Sequence, residues 1–183
     1  MAEDVGAGDI TTESAVPAEL AARAVIRAKE PCVVAGLSLA ATVFAELDAA
    51  VISTPLAADG AVVECEQSVC AIAGPARAIL TGERTALNFI QRLSGIATLT
   101  REFVEAVSGT RAVILDTRKT TPTLRLLEKY AVAMGGGTNH RMGLYDAVMI
   151  KDNHRVVLAR LCQQALLEGV LAARQARPGV SVD

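Results

Sequence analysis

Arg118, Lys119, His140, Arg141 and Lys151 are the residues of this chain whose types and spacing suggest chemistry. All fall in one stretch, Leu115 to His154, which reads LDTRKTTPTLRLLEKYAVAMGGGTNHRMGLYDAVMIKDNH. Guanidinium and ammonium groups hold carboxylates and phosphates through charge-assisted hydrogen bonds, arginine in a planar, bidentate fork. The stretch also contains both histidines of the chain and a triple glycine, Gly135 to Gly137. Taken singly, each cation is as well explained by solvated surface charge. The glycines lie outside the G-x-x-x-x-G-K-S/T and G-x-G-x-x-G contexts that cradle phosphates. Taken together, the residues are candidates to converge on one anionic ligand.

Convergence depends on the elements that carry them. Ala112 to Leu115 is a short apolar run of the kind found in a parallel strand buried on both faces, and it leads into Asp116, Arg118 and Lys119. Ala147 to Ile150 is a second such run, leading into Lys151 and Asp152. In β/α units the carboxyl ends of the strands share one face, so these cations point to one mouth. Thr121-Pro122 reads as a helix start, with Leu124, Leu127, Ala131 and Met134 recurring on one face until Gly135. Thr120 and Thr121 then lie where helix N–H groups favour an anion. His140 and Arg141 present a difficulty, because a residue just before the second strand of such a unit lies at the opposite end. An extended crossing through the three glycines would carry them to the mouth.

The N-terminal half has a different style. Residues 1–19 read as a loop; Arg23 to Lys29 alternates polar and apolar residues as a strand with one wet face, and Pro31 interrupts it. Cys32 to Ala35 resumes a strand, and Leu37 to Ala50 has helical spacing. Ile52 to Ala58, Ala61 to Glu66 and Ser68 to Ala73 are short strands, completing a small antiparallel unit. A long helix from about Thr85 to Val107 follows, with a candidate kink at Ser94-Gly95, and Ser108-Gly109 breaks the chain. Towards the C-terminus, Val156 to Ala176 reads as a helix with Val157, Leu161, Ala165 and Leu171 in its core, and Val180 begins another strand. The fold class is α/β: an α+β sandwich unit over 1–108, then the first part of an open α/β barrel over 109–183.

Composition limits the function classes. With 51% apolar residues and 3% aromatic, the core must be built from Ala, Val, Leu and Ile. A net charge of −2 gives no global reason to expect nucleic acid or an anionic membrane as partner. No apolar run is long enough to span a bilayer and the N-terminus is acidic, so the expectation is a cytoplasmic protein. Cys32, Cys65, Cys70 and Cys162 lack C-x-x-C spacing and are expected to be buried free thiols. Glu3, Asp4, Asp9 and Glu83 show no paired spacing and are expected to be solvated, and Ser94 lacks a nucleophile-elbow context.

Several blocks carry a resemblance. DTRKTTP (116–122), EKYAV (128–132), GGGTNHR (135–141), GLYD (143–146) and MIKDNH (149–154), with EDVGAGDITT (3–12), Ala35-Gly36 and ERTALNFIQRLSGIAT (83–98) upstream in the same order, resemble the signature blocks of the quinolinate phosphoribosyltransferases. The resemblance implies a decarboxylating transfer in NAD synthesis: quinolinate and phosphoribosyl pyrophosphate give nicotinate mononucleotide, pyrophosphate and carbon dioxide. It implies a quinolinate cage of Arg84, Arg118, His140, Arg141 and Lys151, with Lys119 and Lys151 as catalytic residues that reach the phosphoribosyl substrate. It further implies Mg2+, whose acidic ligands are expected beyond Asp183 with none in this chain, and a homodimer or higher homo-oligomer in which Arg84 serves the partner's site. Thr123 stands where the family usually has Gly. Family chains extend past both ends of this one, so the chain is expected to be a truncated member. Two other readings remain at this point: a related phosphoribosyltransferase for another heterocyclic acid, and a catalytically incomplete anion-binding or dimerisation fragment.

Overall fold

The computed structural model describes residues 1–160 and 165–182. Leu161 and Cys162, assigned above to a helix core and a buried thiol, lie outside the described residues. Strand β1 (Ala21–Arg27) alternates as its sequence suggests, with Ala21, Arg23, Val25 and Arg27 facing outwards. The apolar stretch Ser68–Pro75 (β5) is the central strand of a three-stranded antiparallel sheet, flanked by β1 and by β3 (Ile52–Pro55). Its Val69, Cys70 and Ile72 are buried. Beyond Pro31 the chain leaves this sheet, and β2 (Cys32–Val33) pairs with β4 (Val62–Val63) in a separate two-stranded ladder.

Helix α1 (Ile10–Ala15) forms where the sequence suggested a loop. The cause is Asp9, whose Oδ1 accepts the Thr12 N–H at 3.0 Å and whose Oδ2 accepts the hydroxyls of Thr12 at 2.6 Å and Thr81 at 3.1 Å. An N-cap of this kind stabilises a short helix by about 1 kcal/mol. Asp9 is therefore a structural acceptor and not a free solvated charge. The Thr12 hydroxyl, then the Thr12 N–H, hold its carboxyl below the usual carboxylate range.

Helix α2 (Leu37–Leu47) starts after Gly36, whose φ of +100° suits glycine and where a Cβ would meet Leu93 Cδ1 at 2.9 Å. The N–H groups of Gly36 and Leu37 donate to the Asp59 carboxylate at 3.0 and 3.1 Å, so a residue of a distant loop caps the helix. Helix α3 (Ala76–Ala106) begins directly after Pro75, well before the expected Thr85, and passes through Ser94-Gly95 unbroken. Ser94 does not disturb it because its hydroxyl accepts the Ala35 N–H at 3.0 Å instead of competing within its own helix.

Two clusters of apolar side chains divide α3 between them. Its first half, with Ile79 and Ile90, packs with α2 and the sheet around Phe44 and Ile72. Its second half, with Leu93 and Ala97, packs with Val33, Ala35 and the Ala131, Leu127 and Met134 face of α4 (Arg125–Met134). Gly135 ends α4 against α3, where a Cβ would lie 2.4 Å from the Ala97 carbonyl oxygen. The described residues are mixed α and β and form no closed barrel.

The remaining expectations are partly corrected. Helix α5 (Asp152–Ala159) starts earlier than Val156, because the Nδ1 of His154 accepts the Lys151 N–H at 3.0 Å and closes the first turn. Helix α6 (Ala165–Ala176) packs chiefly on α5, so Ala165 is buried while Val157 and Leu171, expected in the core, are exposed. Of the described thiols, Cys70 is buried and Cys32 half-buried. Cys65 is exposed, in the tight turn before β5, with its Sγ donating to the Lys29 carbonyl at 3.2 Å. Among the described residues no helix is long and apolar enough to cross a membrane.

Asp59 also accepts the Tyr130 hydroxyl of α4 at 2.6 Å, tying the α2 cap to the second cluster. Burial, then the Asp59 hydrogen bond and charge, push the Tyr130 phenol up to about 12. A folded-state value above the unfolded one stabilises the fold below about pH 10, and that contribution is lost as pH rises towards the folded value. In urea unfolding, the stability difference between the wild type and Tyr130→Phe is expected to be constant up to about pH 10 and to shrink above it.

Candidate active site

The stretch from Ile114 onwards is held by one parallel pairing. Thr138 N–H donates to the Ile114 carbonyl at 2.8 Å and Asp116 N–H to the Thr138 carbonyl at 3.2 Å, forming the bridge Leu115 to Thr138. The expected strand Ala112–Leu115 is not buried on both faces: Val113 is 62% and Leu115 51% exposed. Its described partner covers one edge and neither face. Ala147 to Ile150, the other expected strand, makes a single parallel bridge, from Val148 to Val182.

This pairing changes the topology inferred above. The segment that returns after α4 is Thr138 to His140, alongside residues 114–116, and not Ala147 to Ile150. Because the pairing is parallel, His140 and Arg141 emerge at the same end as Arg118 and Lys119. The glycines form no extended crossing. They make a tight exit from α4, with Gly136 at φ +90° and the Gly137 N–H donating to the Val132 carbonyl at 3.0 Å.

At the centre lies a buried ion pair. Lys129 Nζ stands 2.5 Å from Asp116 Oδ1, with the two side chains 1% and 6% exposed. The same Oδ1 accepts the His140 N–H at 2.8 Å, and Lys129 Nζ also donates to the His140 carbonyl at 3.1 Å. Asn139, its amide oriented to satisfy both neighbours, donates to Asp116 Oδ2 at 2.8 Å and to the Lys129 carbonyl at 2.9 Å. In the sequence Asp116 stands at a strand end, and Lys129 has no mark beyond its place on a helix. The available signal was the spacing of Lys129 from Arg125, which puts both on one face of α4.

The expected helix start at Thr121-Pro122 is also displaced. Pro122 and Thr123 form a turn, closed by Leu124 N–H donating to the Thr121 carbonyl at 3.1 Å, and α4 begins at Arg125. Thr121 is engaged elsewhere: its N–H donates to Glu128 Oε2 at 3.2 Å and its hydroxyl accepts from Arg92 Nη2 at 2.5 Å. Arg92 of α3 also pairs with Glu128. Burial alone would raise the Glu128 carboxyl, but hydrogen bonds from Arg92 and Thr121 outweigh it and hold it below the usual range. Thr120 and Thr121 therefore do not present free helix N–H groups to an anion. Thr123 sits at φ +67°, a conformation costly for a β-branched residue.

The candidate cations fall into three groups. Arg118 is half-buried, and its Nε is buried with no hydrogen-bond partner among the described residues. Beside it, Lys119 lines a cleft of about 420 Å³ with Arg92, Asp116, Thr121, Glu128 and Lys129. His140 is fixed by the ion pair, and Arg141 donates to the Ala147 carbonyl at 3.2 Å and to Met149 Sδ at 3.5 Å, linking the mouth to the segment that leads into Lys151. Lys151 itself is exposed at the start of α5. Arg84 stands apart, exposed on the first half of α3, about 12 Å along the helix from Arg92.

Comparison with known proteins adds an independent line. Two family models match, the quinolinate phosphoribosyl transferase N-terminal domain over residues 9–94 and the C-terminal domain over 96–181. A probable nicotinate-nucleotide pyrophosphorylase (carboxylating) of Bacillus subtilis (strain 168) is 47% identical over 174 residues, covering 95% of this chain and 58% of the relative. Quinolinate phosphoribosyltransferase (decarboxylating) 1b of Nicotiana tabacum is 46% identical over 155 residues, 84% of this chain and 44% of its own. Among solved structures, NadC of Streptococcus pyogenes superposes with a TM-score of 0.89 at 43% identity, over 98% of this chain and 62% of that one. The nicotinate-nucleotide pyrophosphorylase of Francisella tularensis gives 0.90 at 39%, over 99% and 62%. Human nicotinic acid phosphoribosyltransferase, at 15% identity and a TM-score of 0.59, shares the fold alone. The chain thus spans about half the length of the curated relatives it matches.

Removing one member of the central ion pair leaves the other charge buried. Lys129→Met is expected to destabilise the chain by about 3 kcal/mol or more in urea unfolding, and Lys129→Met combined with Asp116→Asn by less than Lys129→Met alone.

Proposed function

The chain belongs to the quinolinate phosphoribosyltransferase family, and we propose that it takes part in decarboxylating phosphoribosyl transfer from phosphoribosyl pyrophosphate to quinolinate, giving nicotinate mononucleotide, pyrophosphate and carbon dioxide in NAD synthesis. In this reading Arg118, His140, Arg141 and Lys151 hold the two ring carboxylates. Lys119 and Lys151 also reach the phosphoribosyl substrate. The observation that supports the proposal is the parallel pairing of residues 114–116 with 138–140, which sets Arg118-Lys119 and His140-Arg141 at the same end of that pairing. The buried Nε of Arg118, without a partner among the described residues, supports it, because a buried donor costs free energy until an acceptor such as a carboxylate arrives.

The chemistry follows from such a grip. The pyridine nitrogen attacks the anomeric carbon of the ribose as the bond to pyrophosphate breaks, and the cations offset the charge that develops on the leaving group. The ring nitrogen then bears positive charge. The carboxylate on the adjacent carbon leaves as carbon dioxide, its bonding electron pair remains on that carbon, and a proton replaces it. The protein's part is to fix the ring against the sugar and to exclude water. Family resemblance also brings Mg2+ into the proposal. Among the described residues no group of three or more His, Cys, Asp or Glu is placed to hold a metal ion; Mg2+ commonly binds through substrate phosphates and water with one or two carboxylates.

The proposal extends to organisation. Residues 1–108 form the sandwich unit and 109–183 the opening part of the barrel unit; the two family models, over residues 9–94 and 96–181, divide the chain earlier, within α3. The chain acts as a homodimer, and Arg84, exposed and apart from the other cations, completes the cage of a second copy.

The test is to incubate the purified chain with quinolinate, phosphoribosyl pyrophosphate and magnesium, following carbon dioxide and nicotinate mononucleotide, with calorimetry of quinolinate binding alongside. Binding is expected, and Arg141→Ala is expected to weaken it by about 10-fold or more, since a charged hydrogen bond contributes roughly 1.5–3 kcal/mol. Unchanged affinity in that variant would remove Arg141 from the cage. Preference for a different heterocyclic acid would redirect the assignment to a related phosphoribosyltransferase.

A further inference from the structure

Charged side chains hold the backbone on either side of Arg141. His140 N–H donates to Asp116 at 2.8 Å and its carbonyl accepts from Lys129 at 3.1 Å. Two residues on, Met142 N–H donates to Asp146 Oδ2 at 2.6 Å, and its carbonyl accepts from Arg125 Nη1 at 3.1 Å. Carboxylates take the N–H groups and cations take the carbonyls. Arg125 and Lys129, one helical turn apart on α4, thus grip alternate carbonyls of the segment that carries Arg141.

Arg125 does more than Lys129 in one respect. Its Nε donates to the Thr120 hydroxyl at 3.1 Å, so a single half-buried guanidinium spans the loop after Lys119 and the loop after Arg141. Its planar fork sets how far apart those loops stand. From the far side, Asp146 accepts the N–H groups of both Met142 and Gly143, the latter at 2.8 Å, and closes the turn that follows.

We infer that Arg125 is a positioning residue that never touches substrate, and that by bridging Thr120 and Met142 it fixes the spacing between Arg118-Lys119 and Arg141, selecting a ligand with two carboxylates over one with a single carboxylate. Asp146 supports it by holding the other side of Met142. This inference rests on the dicarboxylate site proposed above. A residue with a merely structural role would lower the folded fraction and weaken all ligands together. A positioning residue alters the ratio between them.

The experiment measures, by calorimetry on the purified chain, the dissociation constants of quinolinate (pyridine-2,3-dicarboxylate) and nicotinate (pyridine-3-carboxylate), with thermal unfolding followed by circular dichroism as the check on folding. Arg125→Met is expected to lower the preference for quinolinate over nicotinate by about 10-fold, the order of one lost charged contact. Arg125→Lys, which keeps a donor for Met142, is expected to recover part of that preference. Asp146→Asn, at an exposed position, is the second variant in case Arg125→Met does not fold, and is expected to lower the same ratio by about 3-fold. An unchanged ratio in a folded variant overturns the role of Arg125 while leaving the dicarboxylate site standing. Absence of quinolinate binding by the wild type overturns both.

Discussion

The ion pair between Asp116 and Lys129 is the constraint on which the candidate site depends. Two charges removed from water cost several kcal/mol each unless their remaining hydrogen-bonding capacity is filled. Here it is filled by the groups that must be brought together. Asp116 takes the N–H of His140 and the amide of Asn139, and Lys129 takes the carbonyl of His140. A strand end, a helix and the returning segment therefore meet at one point, and any arrangement that separates them leaves a buried charge unpaired. Such a pair gives geometry more than net stability, which suits the rigid, planar dianion proposed as ligand.

Helix α3 is the second element that the site shares with the rest of the fold. Its first half belongs to the antiparallel sheet unit, and its second half supports α4 and the Gly135 turn. Through Arg92 it reaches Thr121 and Glu128, so the loop after Lys119 is tied to a helix anchored far from the mouth. The turn at Pro122-Thr123 lies between these anchors. Thr123 at φ +67° occupies a position that glycine would fill without strain, at a cost on the order of 1–3 kcal/mol. The neighbouring contacts of Thr121 and Arg125 hold that turn in place.

Legibility in the sequence followed the range of the interactions. The alternation of Arg23 to Arg27 and the apolar face of α3 come from local periodicity and could be read directly, as could the end of α4 at Gly135. The helical spacing of Leu37 to Ala50 likewise marks α2, although its cap, Asp59 from another loop, leaves no local trace; helix α1 depends on one capping carboxylate, Asp9, and leaves no periodic trace. The strand return at Thr138 to His140 is too short to have a period, whereas the longer apolar run at Ala147 has the look of a strand although it does not pair with residues 114–116. The exposure of Val113 and Leu115 is hidden for a related reason: an apolar run shows that a segment suits burial, and not whether a neighbour covers it. The cations are visible by type, and the family blocks mark them as candidates. Lys129 was not singled out because a lysine on a helix is normally solvated.

The most direct measurement is a crystal structure of this chain with quinolinate. A dianion held through the Asp116–Lys129 framework should have one carboxylate within about 3 Å of Arg118 and the other within about 3 Å of His140 or Arg141, with the ion pair intact beneath it. A ligand bound away from the mouth, or an Asp116 and Lys129 that stand apart while the ligand is held, would contradict the account.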